Sequence, residues 1–248
     1  MLSAATFGAL ILGIGEGAHE AGLWLTLGLI LLAIVCAALL VRWQRDTAAP
    51  MLPVDLYRRP MFALSSATSV CSFAAQGLSF VALPFYFQTM LGRSAVEAGL
   101  LLTPWPVMTA IMAPIAGNLS DRFPAAILGG IGMAILALGL ALLAALPEAP
   151  GQIDIVWRMM LCGTGFGFFQ SPNLRAIMSS APRERSGSAS GVVATSRLTG
   201  QSTGAALVAL CFGLSATHGP ALALVIGAVF AGAASLASFS RLLAPRVS

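Results

Sequence analysis

Apolar segments without a single Asp, Glu, Lys or Arg recur along the chain, at residues 1–15, 21–41, 60–92, 98–120, 123–147, 159–174 and 198–240. The last segment divides near residues 218–220, and its first part reaches back to about Ser188, so eight spans are expected. A hydrocarbon core about 30 Å thick needs roughly 20 apolar residues per helix, and charges at its centre are costly. Only 9% of the residues are charged, and mean hydropathy is +0.89. A soluble domain of 248 residues would not carry so much uninterrupted apolar sequence. The expected fold class is therefore an all-α polytopic membrane protein.

Charge placement sets an expected orientation. Arg42, Arg45, Arg58, Arg59, Arg122, Arg183, Arg185, Arg241 and Arg246 fall between or after alternate spans. The opposite loops hold Glu16, Glu20, Glu97, Glu148 and Asp154, with only Arg93 and Arg158 as basic residues. Nine arginines against two place the first set in the cytoplasm and, with it, both ends of this chain. That distribution also argues against a nucleic-acid partner, despite a formal charge of +4. All 13 basic residues are Arg, as expected of a GC-rich bacterial genome. Segment 1–15 lacks the basic start and cleavage site of a secretory signal. At this length it is expected to be a span whose beginning is cut away. Residues 42–61, with four Arg, two Asp and three Pro, form the expected cytoplasmic linker. They separate a two-span leader (1–41) from a six-helix block (62–248), and residues 51–56 suit a short surface-lying piece.

Cys36, Cys71, Cys162 and Cys211 each fall inside a span and are spaced too widely for a zinc site. They are expected to be packing residues, and no metal or cofactor is expected. In the third span, Ser65, Ser69, Ser72, Gln76 and Ser79 recur at spacings of 4, 3, 4 and 3, which puts them on one helical face. Such a face lines a cavity or packs on another helix; Gln76 is large for tight packing and favours the cavity. Pro84, Tyr86 and Gln88 mark a distorted outer end of that helix.

The sixth span reads Cys162-Gly-Thr-Gly-Phe-Gly-Phe-Phe-Gln-Ser-Pro-Asn173. Its glycines are no nucleotide loop, since no strand precedes them and the spacing is wrong. Gly163 and Gly167 instead form a small-xxx-small pair for close helix approach. Pro172 frees a carbonyl near Phe168, with Gln170 and Asn173 on one face, as in a kinked helix beside a substrate path. A kink satisfied by neighbouring helices is the alternative. Phe166, Phe168 and Phe169 suit either a tolerant aromatic surface or ordinary packing. The seventh span carries the pairs Gly187/Gly191 and Gly200/Gly204 for close contact, and between them Arg197 with Gln201 one turn on. Arg197 lies deep enough to be a functional candidate, unless it snorkels along Ser190 and Ala194. Arg175 is expected to snorkel. No Asp or Glu falls at the centre of a span, so a titrating group for proton coupling is not supplied by these segments. No nucleophile–base pair or phosphate loop points to an enzyme.

Ala116-Gly-Asn-Leu-Ser-Asp-Arg122 resembles the G-x-L-[SA]-D-R turn of the major facilitator superfamily. The run Asn173, Ala176-Ile-Met178, Pro182, Arg185-Ser-Gly187, Gly191, Arg197, Gly200-Gln and Gly204 is similar to the corresponding region of its fourteen-span drug:proton antiporters. Gln88, Leu91-Gly, Ala98-Gly99 and Pro104 add a third match. The resemblance covers essentially the whole chain, as two central extra spans followed by a C-terminal six-helix bundle. It implies export of amphipathic, often cationic organic compounds by alternating access, with protons as coupling ion, from the bacterial cytoplasmic membrane. Gly117, Asp121 and Arg122 would then brace a cytoplasmic gate, although Pro124-Ala125-Ala126 departs from the Gly and basic residues that commonly follow. Ser72, Gln76, Ser79, Gln88, Phe169, Gln170, Asn173, Arg197 and Gln201 are the expected cavity residues. The partners implied are the lipid bilayer, a small organic substrate and an N-terminal six-helix bundle that this chain lacks and that would carry the coupling carboxylate. Transport of one specific metabolite, or a truncated product or half-transporter, are the alternatives.

Overall fold

Helix follows helix through the computed structural model, which describes residues 56–147, 149–215 and 218–242. The leader 1–41, linker residues 42–55, Cys36, Glu148 and Arg246 lie outside the described residues. A 3-10 turn at Leu56–Arg58 leads into α1 (Pro60–Phe85), whose first turn accepts Pro60 because the amide it lacks would be unpaired there. Near its far end Pro84 removes a backbone donor, and the chain widens into a π-helical turn at Tyr86–Met90. Gly92, at φ +61°, then reverses the chain in a conformation that a side chain disfavours.

Ser94 opens α2 (Ala95–Leu102) with a capping box, its hydroxyl accepting from the Glu97 amide and its own amide donating to the Glu97 carboxylate at 2.9 Å. Thr103 joins α2 to α3 (Pro104–Leu119), and the two make one span. There follow α4 (Ala125–Ala144), α5 (Gln152–Ser180), a 3-10 turn at Arg183–Arg185, α6 (Ser186–Leu214) and α7 (Gly219–Ser240). No strand occurs among the described residues, in keeping with an all-helical bundle.

Among the described residues, four helical segments are long and apolar enough to cross a bilayer, namely α1 with its π turn, the α2–α3 pair, α4 and α7. By length α5 and α6, at 29 residues each, suffice as well, but they are the more polar helices of the bundle. Within α5 lie Arg158, Gln170, Asn173 and Arg175, and within α6 lie Arg197 and Gln201. Pro172 lies inside α5, which stays helical through it to Ser180.

Neighbours pack in the order α3, α5, α4, α7, α1, α6, with α1 and α5 also touching across the middle. Between lipid-facing helices the hydrophobic effect offers little, so close van der Waals packing carries the association. Small residues supply it. An added Cβ at Gly163 would lie 2.3 Å from the Trp105 carbonyl oxygen, and one at Gly167 would lie 2.8 Å from that of Thr109. Gly200 and Gly204 approach the Val70 and Ala74 carbonyls as closely, which locks α6 onto α1. Among the described residues nothing lies within 4 Å of a Cβ added at Gly187 or Gly191, so this expected pair makes no close contact with the other described helices. An equally tight contact comes from Gly132 on α4, which meets Gly165 of α5 reciprocally, backbone on backbone.

Candidate functional site

The ring of neighbours has a gap, because α3 and α6 do not pack on each other. There a hollow of about 290 Å³ opens, walled by Trp105, Pro106 and Thr109 of α3 and by Arg197 of α6. Its floor is Phe73, Gln76 and Phe80 of α1 with Phe166 and Gln170 of α5. A second hollow of about 550 Å³ shares Gln76, Phe80 and Arg197 and extends along Gln201 and Ser202. Gln201 Nε2 donates to Gln76 Oε1 at 3.3 Å, which leaves the remaining amide valences of both residues free to turn to a guest. The Arg197 guanidinium lies 5.9 Å from the centre of the Phe73 ring. That distance suits a cation–π contact and keeps the charge on the open face rather than in lipid. Trp105 is 1% exposed, stacks edgewise on Phe80 at 5.2 Å, and has an indole N–H without a partner. The arrangement is an amide- and aromatic-lined recess with one fixed cation.

Of the residues expected to line a cavity, Gln76, Gln170, Arg197 and Gln201 meet at these hollows. Ser72 and Ser79 do not. Both are fully buried and donate to their own helix, to the Ser69 and Ala75 carbonyls, because a short hydroxyl finds a carbonyl one turn back before it reaches a neighbour. Gln88 likewise turns back to the Pro84 carbonyl at 3.2 Å, in the π-helical turn and away from the hollows. Phe169 is packed in the core against Phe166, where its bulk fills the α4–α5 interface. Asn173 belongs to a different place altogether.

That place is a buried polar knot toward the other end of the bundle. Asn173 Nδ2 donates to Ser69 Oγ at 2.7 Å and to the Ser65 carbonyl at 3.3 Å. Its Oδ1 accepts from Arg241 at 2.8 Å, and Arg241 also donates to Ser65 Oγ at 3.0 Å and to Ser238 Oγ. The serine face of α1 thus packs mostly on α5 and α7 instead of lining the recess. Arg241, which the charge pattern places in a loop beyond the last span, is 2% exposed. Its signal was faint: it sits one residue beyond an apolar helix, three from Ser238 on that helix's inward face.

At the turn between α3 and α4, Asp121 is paired with Arg175 of α5, which also donates to Ser120 Oγ at 3.0 Å. Arg175 therefore clasps the turn rather than only snorkelling. Both partners are more than half exposed, so the pair is a weak clasp in water. Ser120 Oγ donates to the Gly117 carbonyl at 2.6 Å, which closes the turn, and Arg122 points into solvent.

The Major Facilitator Superfamily matches residues 1–205. An uncharacterised transporter, YebQ of Escherichia coli K12, is 50% identical over 246 residues, which are 99% of this chain and 54% of YebQ. The multidrug resistance protein Stp of Mycobacterium tuberculosis is 31% identical over 222 residues, 87% of this chain and 40% of Stp. The riboflavin transporter RibZ of Clostridioides difficile is 30% identical over 190 residues, 75% of this chain and 41% of RibZ. The chain spans about half the length of the curated relatives it matches. These relatives are transporters rather than enzymes. With a helical bundle of membrane-spanning length and a match over most of its sequence, the chain belongs to the major facilitator superfamily.

Proposed function

We propose that the protein is the C-terminal part of a multidrug efflux carrier that exports amphipathic organic compounds in exchange for protons, across the bacterial cytoplasmic membrane. The observation that carries this reading is the recess between α3 and α6, where Gln76, Gln170, Gln201 and Arg197 stand among Phe73, Phe80 and Trp105. Broad aromatic walls accept many shapes, and a few amides orient them without demanding one pattern. The recess is open on one side, so alternating access needs a second wall. That wall is a six-helix bundle outside this chain, in which the titrating carboxylate also resides. Nine arginines on alternate loops favour cytoplasmic placement of both ends of this chain. The multidrug resistance protein among the relatives supports the substrate class.

Accumulation of fluorescent cationic dyes in cells expressing the full reading frame, with and without a protonophore, tests this reading. Lower accumulation that the protonophore abolishes is expected; unchanged accumulation for every compound would remove the efflux assignment. Cysteines at positions 76 and 170, in a background lacking the native thiols, are expected to react with water-soluble thiol reagents. One at position 72 is expected to stay protected.

Arg197 favours a second reading, transport of one anionic or zwitterionic metabolite, because a fixed cation at the recess suits a carboxylate or phosphate guest. The riboflavin transporter among the relatives supports a single metabolite as substrate, without bearing on its charge. Growth of a deletion strain across a panel of drugs and metabolites separates the two: broad drug sensitivity supports efflux, and a single metabolite phenotype supports the alternative.

A further inference from the structure

At the end of the bundle away from the recess a cavity of about 660 Å³ is lined by Arg59, Arg175 and Arg241. Its charge is poorly balanced. Among the described residues, Arg175 is the only one of the three within ion-pair distance of a carboxylate, that of Asp121. Arg59 Nη1 donates at 2.9 Å to the Ser180 carbonyl, at the carboxyl end of α5. Arg241 is 2% exposed and, among the described residues, its hydrogen-bond partners are the neutral Ser65, Asn173 and Ser238 and its Nε has no partner. A buried cation without a counter-charge is costly, and an anion in the adjoining space removes that cost.

Two further features fit an anion. The amino end of α4 forms part of the wall through Pro124, Ala125 and Ala126, and no side chain caps it. Its free amides and the helix dipole favour negative charge. The rest of the lining divides into the hydroxyl-bearing Ser120, Ser179 and Ser180 and an apolar rim of Pro60, Met61, Ala176 and Leu242, of which Met61 and Leu242 are exposed. Such a rim suits acyl chains running away from a charged headgroup.

We propose that this cavity binds a phosphate-type anion, and that the phosphodiester headgroup of an anionic phospholipid is its occupant. The arginines grip the phosphate oxygens, α4 offers its first amides, and the apolar rim receives the upper acyl chain. This site is separate from the recess and does not depend on what the recess transports.

The test uses the full-length protein, delipidated in neutral detergent and titrated with short-chain phosphatidylglycerol, with phosphatidylcholine and with inorganic phosphate. Native mass spectrometry reads the bound species and the shift in melting temperature reads protection. Phosphatidylglycerol is expected to bind and protect, and phosphatidylcholine to bind more weakly. Arg59→Gln is expected to weaken phosphatidylglycerol about fivefold, the effect of one basic residue near an anionic headgroup. Arg241→Lys, which keeps the charge but loses the planar fork, is expected to weaken it as well. Arg183→Gln, outside the cavity, is expected to change nothing. Because Arg241→Gln removes a group that three buried side chains hold, the two milder variants carry the test. Protection by phosphatidylglycerol with none by millimolar phosphate supports the lipid headgroup. Protection by phosphate alone keeps the anion site and overturns the lipid as its occupant. Binding that is equal in the parent, Arg59→Gln and Arg241→Lys, or no binding of either anion to the parent, overturns the proposal.

Discussion

Gln170 and Asn173 lie three residues apart on α5, carry the same amide chemistry, and have opposite surroundings. Gln170 is half-buried at the edge of the recess between α3 and α6. Asn173 is 2% exposed and uses both ends of its amide, donating to Ser65 and Ser69 of α1 and accepting from Arg241. Two arginines repeat the contrast, with Arg197 on the open face over Phe73 and Arg241 inside the knot. In a membrane bundle a polar side chain can either meet water and a guest or be satisfied inside the protein. The first kind is free for function and of little consequence to the fold; the second is the reverse.

The sharpest way to break this contrast is to remove the two amides in turn. Asn173→Leu keeps the volume but leaves Arg241 without its amide acceptor, and is expected to cost about 3 kcal/mol. Gln170→Leu is expected to stay within about 0.5 kcal/mol. Chemical unfolding in mixed micelles measures both, and equal losses would erase the distinction between knot and recess.

Next in size is the packing of α5 on α3. Gly163→Ala drives a Cβ to 2.3 Å from the Trp105 carbonyl and is expected to cost about 1–3 kcal/mol. Gly191→Ala, with open space around it, is expected to be neutral or to gain up to about 1 kcal/mol from helix propensity. Similar losses for both would mean that α6 packs along its first turns on something the glycine geometry does not reveal.

Smaller again is the amide clasp across α1 and α6. A double-mutant cycle on Gln76→Leu and Gln201→Leu is expected to give a coupling of about 0.5–1 kcal/mol, one neutral hydrogen bond at a half-open site. A coupling near 3 kcal/mol would place this pair with the knot instead. The smallest effect on stability is expected from Arg197→Gln, within about 0.5 kcal/mol, because its side chain is exposed on the open face. The same variant is expected to alter transport of charged compounds, measured as dye efflux; loss of stability with unchanged efflux would make Arg197 a structural residue.

Much of the helical order was legible in the residues. Uncharged runs located the described helices, Pro84 marked the end where the π turn forms, and Gly163/Gly167 and Gly200/Gly204 pointed to four of the close helix contacts. Part of the recess was legible too, since Gln76, Gln170, Arg197 and Gln201 are large polar groups inside apolar runs. The serines misled because spacing puts them on one face but does not say which neighbour covers it. Ser72 and Ser79 satisfy themselves on their own helix, while Ser65 and Ser69 serve Asn173 and Arg241. Gly187 and Gly191 meet no described neighbour, since a small residue permits close approach without requiring it.

Periodicity and charge alone determined that this is a bundle of apolar helices with a few expensive polar groups inside it, since lipid tolerates little else. Which of those groups are sealed and which stay open was decided by tertiary structure. The outcome depends on which helices pack together, and α3 and α6 are not among the packed pairs, whereas α1, α5 and α7 converge on Arg241. A one-dimensional pattern records the face on which a side chain stands; only packing supplies the partner that removes it from water.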